Sequence, residues 1–286
     1  MPPPDQILAL PPLPPRPIDG HKGTFGRVLV VGGSEDMLGA PVLAGAAALR
    51  MGCGLAQIAV PRSILPAALS AVPELVGLGL PKTGGKKELA DAAAKADAIV
   101  VGPGLGQQPA AAARLMQLIA LTKPLVVDAD ALNLLAQHRT WPRTFRAPAI
   151  LTPHPGEMQR LAKLLGRSDV PSDQPGRIDI ATRAAQTFGQ IVILKGHRTI
   201  VTDGRRYYIN TTGDSTLAKA GSGDLLSGMI ASLLAQNMPP FEAAILATHL
   251  HGLAGQLAGQ RLNPRSALAR DILDSLPQAL ATLDLR

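Results

Sequence analysis

Aromatic side chains make up only 2% of the 286 residues, and there is one cysteine, Cys53. A single thiol excludes an intrachain disulfide and a cysteine-based zinc cluster, and it fits a reducing, cytoplasmic setting. With so few rings, the core must be built from Ala, Leu, Val and Ile, and a bound heterocycle would lie against aliphatic and backbone groups. Long apolar runs are also missing. The most apolar window, 42–60, is broken by Arg50, Gln57, Gly52 and Gly54, which excludes a membrane span. The first twenty residues hold eight prolines and no basic stretch leading into an apolar one, so they are not a signal peptide. Neither G-x-G-x-x-G nor G-x-x-x-x-G-K-[ST] occurs, which removes support for a dinucleotide dehydrogenase and for a P-loop enzyme. The net charge of +7 comes from scattered basic residues with few rings to stack bases. That argues against a nucleic-acid partner and suits phosphorylated small molecules.

What is present is 46% hydrophobic sequence arranged in alternating strand and helix signals. Residues 1–20 read as a proline-rich arm, mobile or laid on a neighbouring subunit. Short apolar runs at 27–31, 56–60, 98–101, 125–127, 149–151 and 191–194 read as buried strands. Helices are expected at 41–51, with Pro41 in first position, then at 110–121, after Glu157 to about 165, at 177–188, 225–235, 240–258 and 266–283. Asp203-Gly204 between 199–202 and 206–209 signals a hairpin. The alternation predicts one α/β domain over 21–286, a central mostly parallel sheet covered by helices on both faces. Polar and glycine-rich motifs follow the strands, where open α/β sheets bind ligands.

The strongest motif is Gly221-Ser222-Gly223-Asp224, directly before an apolar helical pattern. Free amides and the dipole at such a helix start form an anion hole, and glycines admit a phosphate to the backbone. Asp224 is either a cap or a catalytic base. Ser222 can serve as the cap, and the small residues before Asp224 leave space that packing does not require, so a base is favoured. A base beside an anion hole suits phosphoryl transfer to a hydroxyl. His154 is held between two prolines, and Glu157 either caps the next helix or serves magnesium through water. Asp128 and Asp130 are either caps or ligands for polar groups. Lys195, ending a buried strand, is a solvated loop lysine or a phosphate partner. His249 and His251 read as structural, and Cys53 as a small buried residue.

Taken in order, Lys22-Gly23-Thr24-Phe25-Gly26, Gly39-Ala40-Pro41, Gly102-Pro103-Gly104-Leu105-Gly106, Asp128-Ala129-Asp130, Thr152-Pro153-His154-Pro155-Gly156-Glu157, Lys195-Gly196 and Gly221-Ser222-Gly223-Asp224 resemble the ribokinase-like family of NAD(P)H-hydrate dehydratases, over about 22–257. The resemblance implies an ADP-dependent (S)-NAD(P)H-hydrate dehydratase, a hydro-lyase that phosphorylates the hydroxyl of hydrated NADH or NADPH and expels phosphate, using ADP or ATP with Mg2+. It implies Asp224 as base and Gly221, Ser222 and Gly223 as anion hole. Nucleotide would meet Lys195, Gly196, His197, Arg198, Thr199 and Gly223. Hydrated cofactor would meet Ala40, Gly104, Gly106, His154 and Asp224, and Glu157 would help hold magnesium. A homotetramer and a separate NAD(P)H-hydrate epimerase are further implications, since the residues before Lys22 are too few to encode the epimerase fused in some relatives. One departure is Gly213-Asp214-Ser215-Thr216, where the family often has Gly-Asn-Pro-Gly, which bears on metal or phosphate contacts. The alternatives are a ribokinase-like kinase of a hydroxyalkyl heterocycle and a non-catalytic adenylate sensor.

Overall fold

A computed structural model describes residues 4–138 and 140–284. The strands are β1 (Asp5–Ile7), β2 (Arg27–Val31), β3 (Leu55–Pro61), β4 (Val76–Leu80), β5 (Ala98–Val101), β6 (Leu125–Val127), β7 (Ala149–Leu151), β8 (Ile191–Leu194), β9 (Ile200–Thr202) and β10 (Arg206–Ile209). They form one sheet in the order β1-β10-β9-β8-β7-β6-β5-β2-β3-β4. All neighbours are parallel except β8–β9 and β9–β10, so Asp203-Gly204 does lie in a hairpin.

Alternation along the central strands builds two cores. Val28, Val30, Val100, Val126, Ile150 and Ile193 point to one face and join α1 (Gly39–Arg50), α8 (Ser222–Ala235), α9 (Pro240–Leu262) and α10 (Ala269–Asp284). Leu29, Val31, Val101, Val127, Leu151 and Leu194 point to the other and join α3 (Lys86–Lys95), α4 (Pro109–Ile119), α5 (Asp130–Ala136), α6 (Pro155–Ala162) and α7 (Gln174–Phe188). Burial on both faces is why these strands read as continuous apolar runs. Trp141, the one tryptophan, is spent on the second core, 4.7 Å from Phe188 and 5.7 Å from Phe145 between ring centres.

Three expectations need correction. Over its described length the arm is not free: it is laid on its own chain. Asp5–Ile7 pairs in parallel with β10, and Leu10 and Leu13 pack on the first core. Pro41 is the third helical residue, because α1 begins at Gly39. Its missing N–H costs nothing there, since amides of a first turn have no helical partner. The 266–283 helix starts three residues late, at Ala269, and sequence reading passed over α2 (Leu65–Ala71) and β4 altogether. Among the described residues no helix is long and apolar enough to cross a membrane.

Candidate active site

Register aligns the ends of the central strands: Val31 faces Val101, Val101 faces Val127, and Val127 faces Leu151. The residues after them therefore gather along one edge. A cavity of about 690 Å³ opens there, lined among others by Asp128, His154, the Lys195–Thr199 loop, Asp214, Gly221–Asp224 and His251. Among the described residues no Phe, Tyr or Trp lines it; Leu217, Leu226, Ala129 and Ala218 supply apolar surface.

Helix α8 begins from Gly221, whose φ of +89° is left-handed backbone that glycine tolerates. No side chain caps this helix. Ser222 does not cap it either: its hydroxyl lies 3.1 Å from Nε2 of His251, a buried residue of α9. Burial pushes the His251 ring down to about 4, so it is neutral near pH 7. Among the described residues, the Gly223 and Asp224 amides have no acceptor and the Asp224 carboxylate has no hydrogen-bond donor. A favoured capping residue at a helix start that caps nothing is available for other work. Burial, and then the negative charge of Asp128, raise Asp224 to about 7 against the opposing pull of Lys195.

Asp128 is 1% exposed and sits at the centre of the charges. Its Oδ1 accepts from Lys195 Nζ at 2.9 Å and its Oδ2 from Ser227 Oγ at 2.6 Å. Burial opposes its ionisation, but Lys195 and the donors hold its carboxyl below the usual range. Lys195 faces the same penalty and is kept charged by Asp128, Glu157 and Asp224. Neither Asp128 nor Asp130 caps α5 with its side chain. Asp130 instead accepts the Gly106 amide at 2.9 Å. Ala129 between them has φ +52°, an uncommon and strained region for a residue with a Cβ.

His154 and Glu157 form a reciprocal cap at the start of α6. Nδ1 of His154 accepts the Gly156 and Glu157 amides, and Oε2 of Glu157 accepts the His154 amide at 2.8 Å. A neutral ring thus carries its proton on Nε2, which faces Oε1 of Glu157 at 3.4 Å. Glu157 lies behind the cavity wall, with Oε2 3.9 Å from Lys195 Nζ, and burial raises it to about 7. Burial and the charges of Lys195 and Arg160 lower His154. Among the described residues no group of three His, Cys, Asp or Glu side chains is arranged to hold a metal.

Ala40, Gly104 and Gly106 do not line this cavity; they make a shelf at the ends of β2 and β5. A Cβ on Gly104 would sit 3.3 Å from that of Ala40, whereas one on Gly39 or Gly106 would meet nothing within 4 Å. Asp214 also lines the cavity, and its Oδ1 accepts the Thr216 amide at 2.8 Å. An asparagine there would accept the same bond, so the departure at this position keeps the turn. Sequence reading left Asp128 open between cap and ligand, on the signal of a carboxylate directly after a buried apolar strand, and left out Asn210, Thr248 and His251 as site residues.

A mostly parallel three-layer α/β fold, with a helix N-terminus and an unpaired aspartate at its carboxyl edge, places the chain in the ribokinase-like class. Within that class the chain belongs to the NAD(P)H-hydrate dehydratase family, whose sequence pattern matches residues 28–278. It is 43% identical over 249 residues to an ADP-dependent (S)-NAD(P)H-hydrate dehydratase of Neisseria meningitidis, covering 84% of this chain and 79% of that one. It is 41% identical over 282 residues to the bifunctional NAD(P)H-hydrate repair enzyme Nnr of Moorella thermoacetica. That match covers 95% of this chain and 52% of the relative, so the chain spans about half the length of the bifunctional relatives it matches. The crystal structure of the ADP/ATP-dependent NAD(P)H-hydrate dehydratase from Bacillus subtilis, co-crystallised with ATP/Mg2+, superposes with a TM-score of 0.83 at 32% identity, covering 95% of each chain.

Proposed function

We propose that this chain is an ADP-dependent (S)-NAD(P)H-hydrate dehydratase that restores NADH or NADPH from the hydrated forms. The observation that carries the reading is the unpaired Asp224 carboxylate beside free amides at the start of α8. Asp224 takes the proton of the ring hydroxyl as its oxygen attacks the terminal phosphoryl group of ADP. The Gly223 and Asp224 amides and the Lys195 charge stabilise the phosphoryl oxygens, and AMP departs. Phosphate then leaves the ring carbon, pushed out by the ring nitrogen, and loss of a proton from the adjacent carbon restores the double bond.

The Lys195–Thr199 loop and Gly223 hold the nucleotide in this reading. His154 and the shelf of Ala40, Gly104 and Gly106 hold the hydrated cofactor. Magnesium arriving with the nucleotide would be served by Glu157 through water, because Oε2 already accepts the His154 amide. The ion would supply charge neutralisation on the phosphates. The same reading makes the protein a cytoplasmic homotetramer that works in partnership with NAD(P)H-hydrate epimerase activity.

Incubation with hydrated NADPH, ADP or ATP, and Mg2+ tests the reaction. Reduced-ring absorbance returns only when nucleotide is present, with equimolar phosphate released. A persisting phosphoester would replace the reading with a small-molecule kinase, and adenylate binding without turnover would replace it with a sensor.

A further inference from the structure

Helix α7 packs beneath the loop that joins β8 to β9, and its first turns aim two side chains at it. Arg177 is 9% exposed. Its Nη1 donates to the His197 carbonyl, and its Nη2 reaches the carbonyls of Leu194 at 3.4 Å and Lys195 at 3.3 Å. Gln174 Nε2 donates to the Arg198 carbonyl at 3.4 Å, and Thr199 Oγ1 to that of Gly196 at 2.8 Å. Five consecutive carbonyls, 194 to 198, are thus taken by side-chain donors. The amides of Gly196, His197 and Arg198 have no acceptor among the described residues. The same loop lines the cavity.

Arg177 is also unusual in its charge. Among the described residues no carboxylate pairs with it, although a buried guanidinium is ordinarily matched by one. A buried cation held only by neutral carbonyls gains from an anion bound on the far side of the loop. It also draws the carbonyl dipoles towards itself, which leaves the donor ends of the loop for that anion. The backbone is in uncommon territory to achieve this, with φ of +134° at Gly196 and +53° at Arg198.

We propose that Arg177 is a positioning residue for nucleotide phosphate: it gathers the loop's carbonyls beneath β8–β9 so that the amides of residues 196–198 remain free to bind phosphoryl oxygens. The inference rests on the assignment of this loop to the nucleotide. Three variants test it: Arg177→Met, Arg177→Lys, and Gly196→Ala, which disturbs the loop directly. Each is assayed by calorimetric titration with ADP and by steady-state kinetics with hydrated NADPH, and its folding is checked by thermal melting. Arg177→Met should weaken ADP binding about 10- to 100-fold, as expected for loss of hydrogen bonds from a charged donor. The KM for the hydrate and the kcat at saturating ADP should stay within about threefold, a split that general loosening of the fold would not produce. Arg177→Lys, which keeps the charge and part of the bonding, should recover much of the affinity. Should Arg177→Met unfold, the lysine variant must still show an ADP-specific defect. ADP affinity unchanged in Arg177→Met but lowered in Gly196→Ala would overturn the role of Arg177 and leave the loop assignment standing. No change in either would overturn both.

Discussion

At the scale of single residues, the chemistry depends on one carboxylate left without a donor. Asp224→Asn should retain ADP binding and cut turnover of hydrated NADPH by about 10²- to 10⁴-fold, the usual loss for a removed general base. Near-normal turnover would remove Asp224 from the role. The pH behaviour has a definite sign. A base raised to about 7 is ionised only above that value, so kcat/KM should fall about tenfold per unit as pH drops below 7. Stability runs the other way. Folded Asp224 and Glu157 hold protons to about 7, whereas unfolded carboxyls release them near 4. Between those values the folded state binds more protons at these two sites, so the stability they contribute is present below about pH 4 and is lost as pH rises through 7. His251, held neutral down to about 4, acts in the opposite sense over the acid part of that range. Asp224→Asn removes one of these charges and should raise Tm at pH 8 by about 2–4 °C, with a smaller gain at pH 5. Thermal melts at the two pH values check this, and a variant melting lower at pH 8 would contradict it. Sequence alone pointed to Asp224 because glycines surround it. It left Asp128 ambiguous and passed over Arg177, since their partners lie 67 and 99 residues away in one case and across a loop in the other.

At the scale of elements, the site is held by how α1 crosses α8. A Cβ on Gly228 would come 1.9 Å from the Ala44 carbonyl, and one on Gly221 2.6 Å from Leu43. Two backbones this close need glycine, and the crossing fixes the start of α8, with Asp224, against the start of α1, with Ala40. Gly228→Ala should therefore cost about 1–3 kcal/mol by forcing the helices apart, read as a lower urea midpoint. It should also lower kcat below the melting temperature, since base and shelf would shift together. Loss of stability with unchanged kcat would separate the crossing from the catalysis. Elements legible in the sequence were those with uninterrupted apolar runs, such as Arg27–Val31 and Ile191–Leu194. Strand β4, Val-Gly-Leu-Gly-Leu, has too few large side chains to announce itself and gains its order from pairing with β3. The start of α8 was placed three residues late, because the glycine and serine that open it carry little helical preference.

At the scale of the whole molecule, alternation of strand and helix disclosed a parallel sheet with two covered faces. Strand order was not disclosed, because it depends on contacts between distant segments. The arm illustrates this. Proline-rich sequence lacks the means to form a helix, yet Asp5–Ile7 pairs with Arg206–Tyr208 across some two hundred residues of chain. Ile7, Leu10 and Leu13 then pack against the first core. The cavity wall that follows β10 does not rely on this cover. Asn210 Nδ2 bonds to the carbonyls of Thr212 at 3.0 Å and Thr248 at 3.2 Å, and Thr212 Oγ1 bonds to that of His249 at 2.7 Å, so α9 holds the wall directly. Packing of the arm should thus be separable from the site. Leu10→Ala together with Leu13→Ala, both partly buried, should lose about 1–2 kcal/mol each and lower Tm by several degrees. The KM for ADP, the KM for hydrate and kcat should be unchanged at 25 °C. A rise in either KM in this folded variant would mean that the edge of the sheet, and not α9, sets the geometry of the cavity.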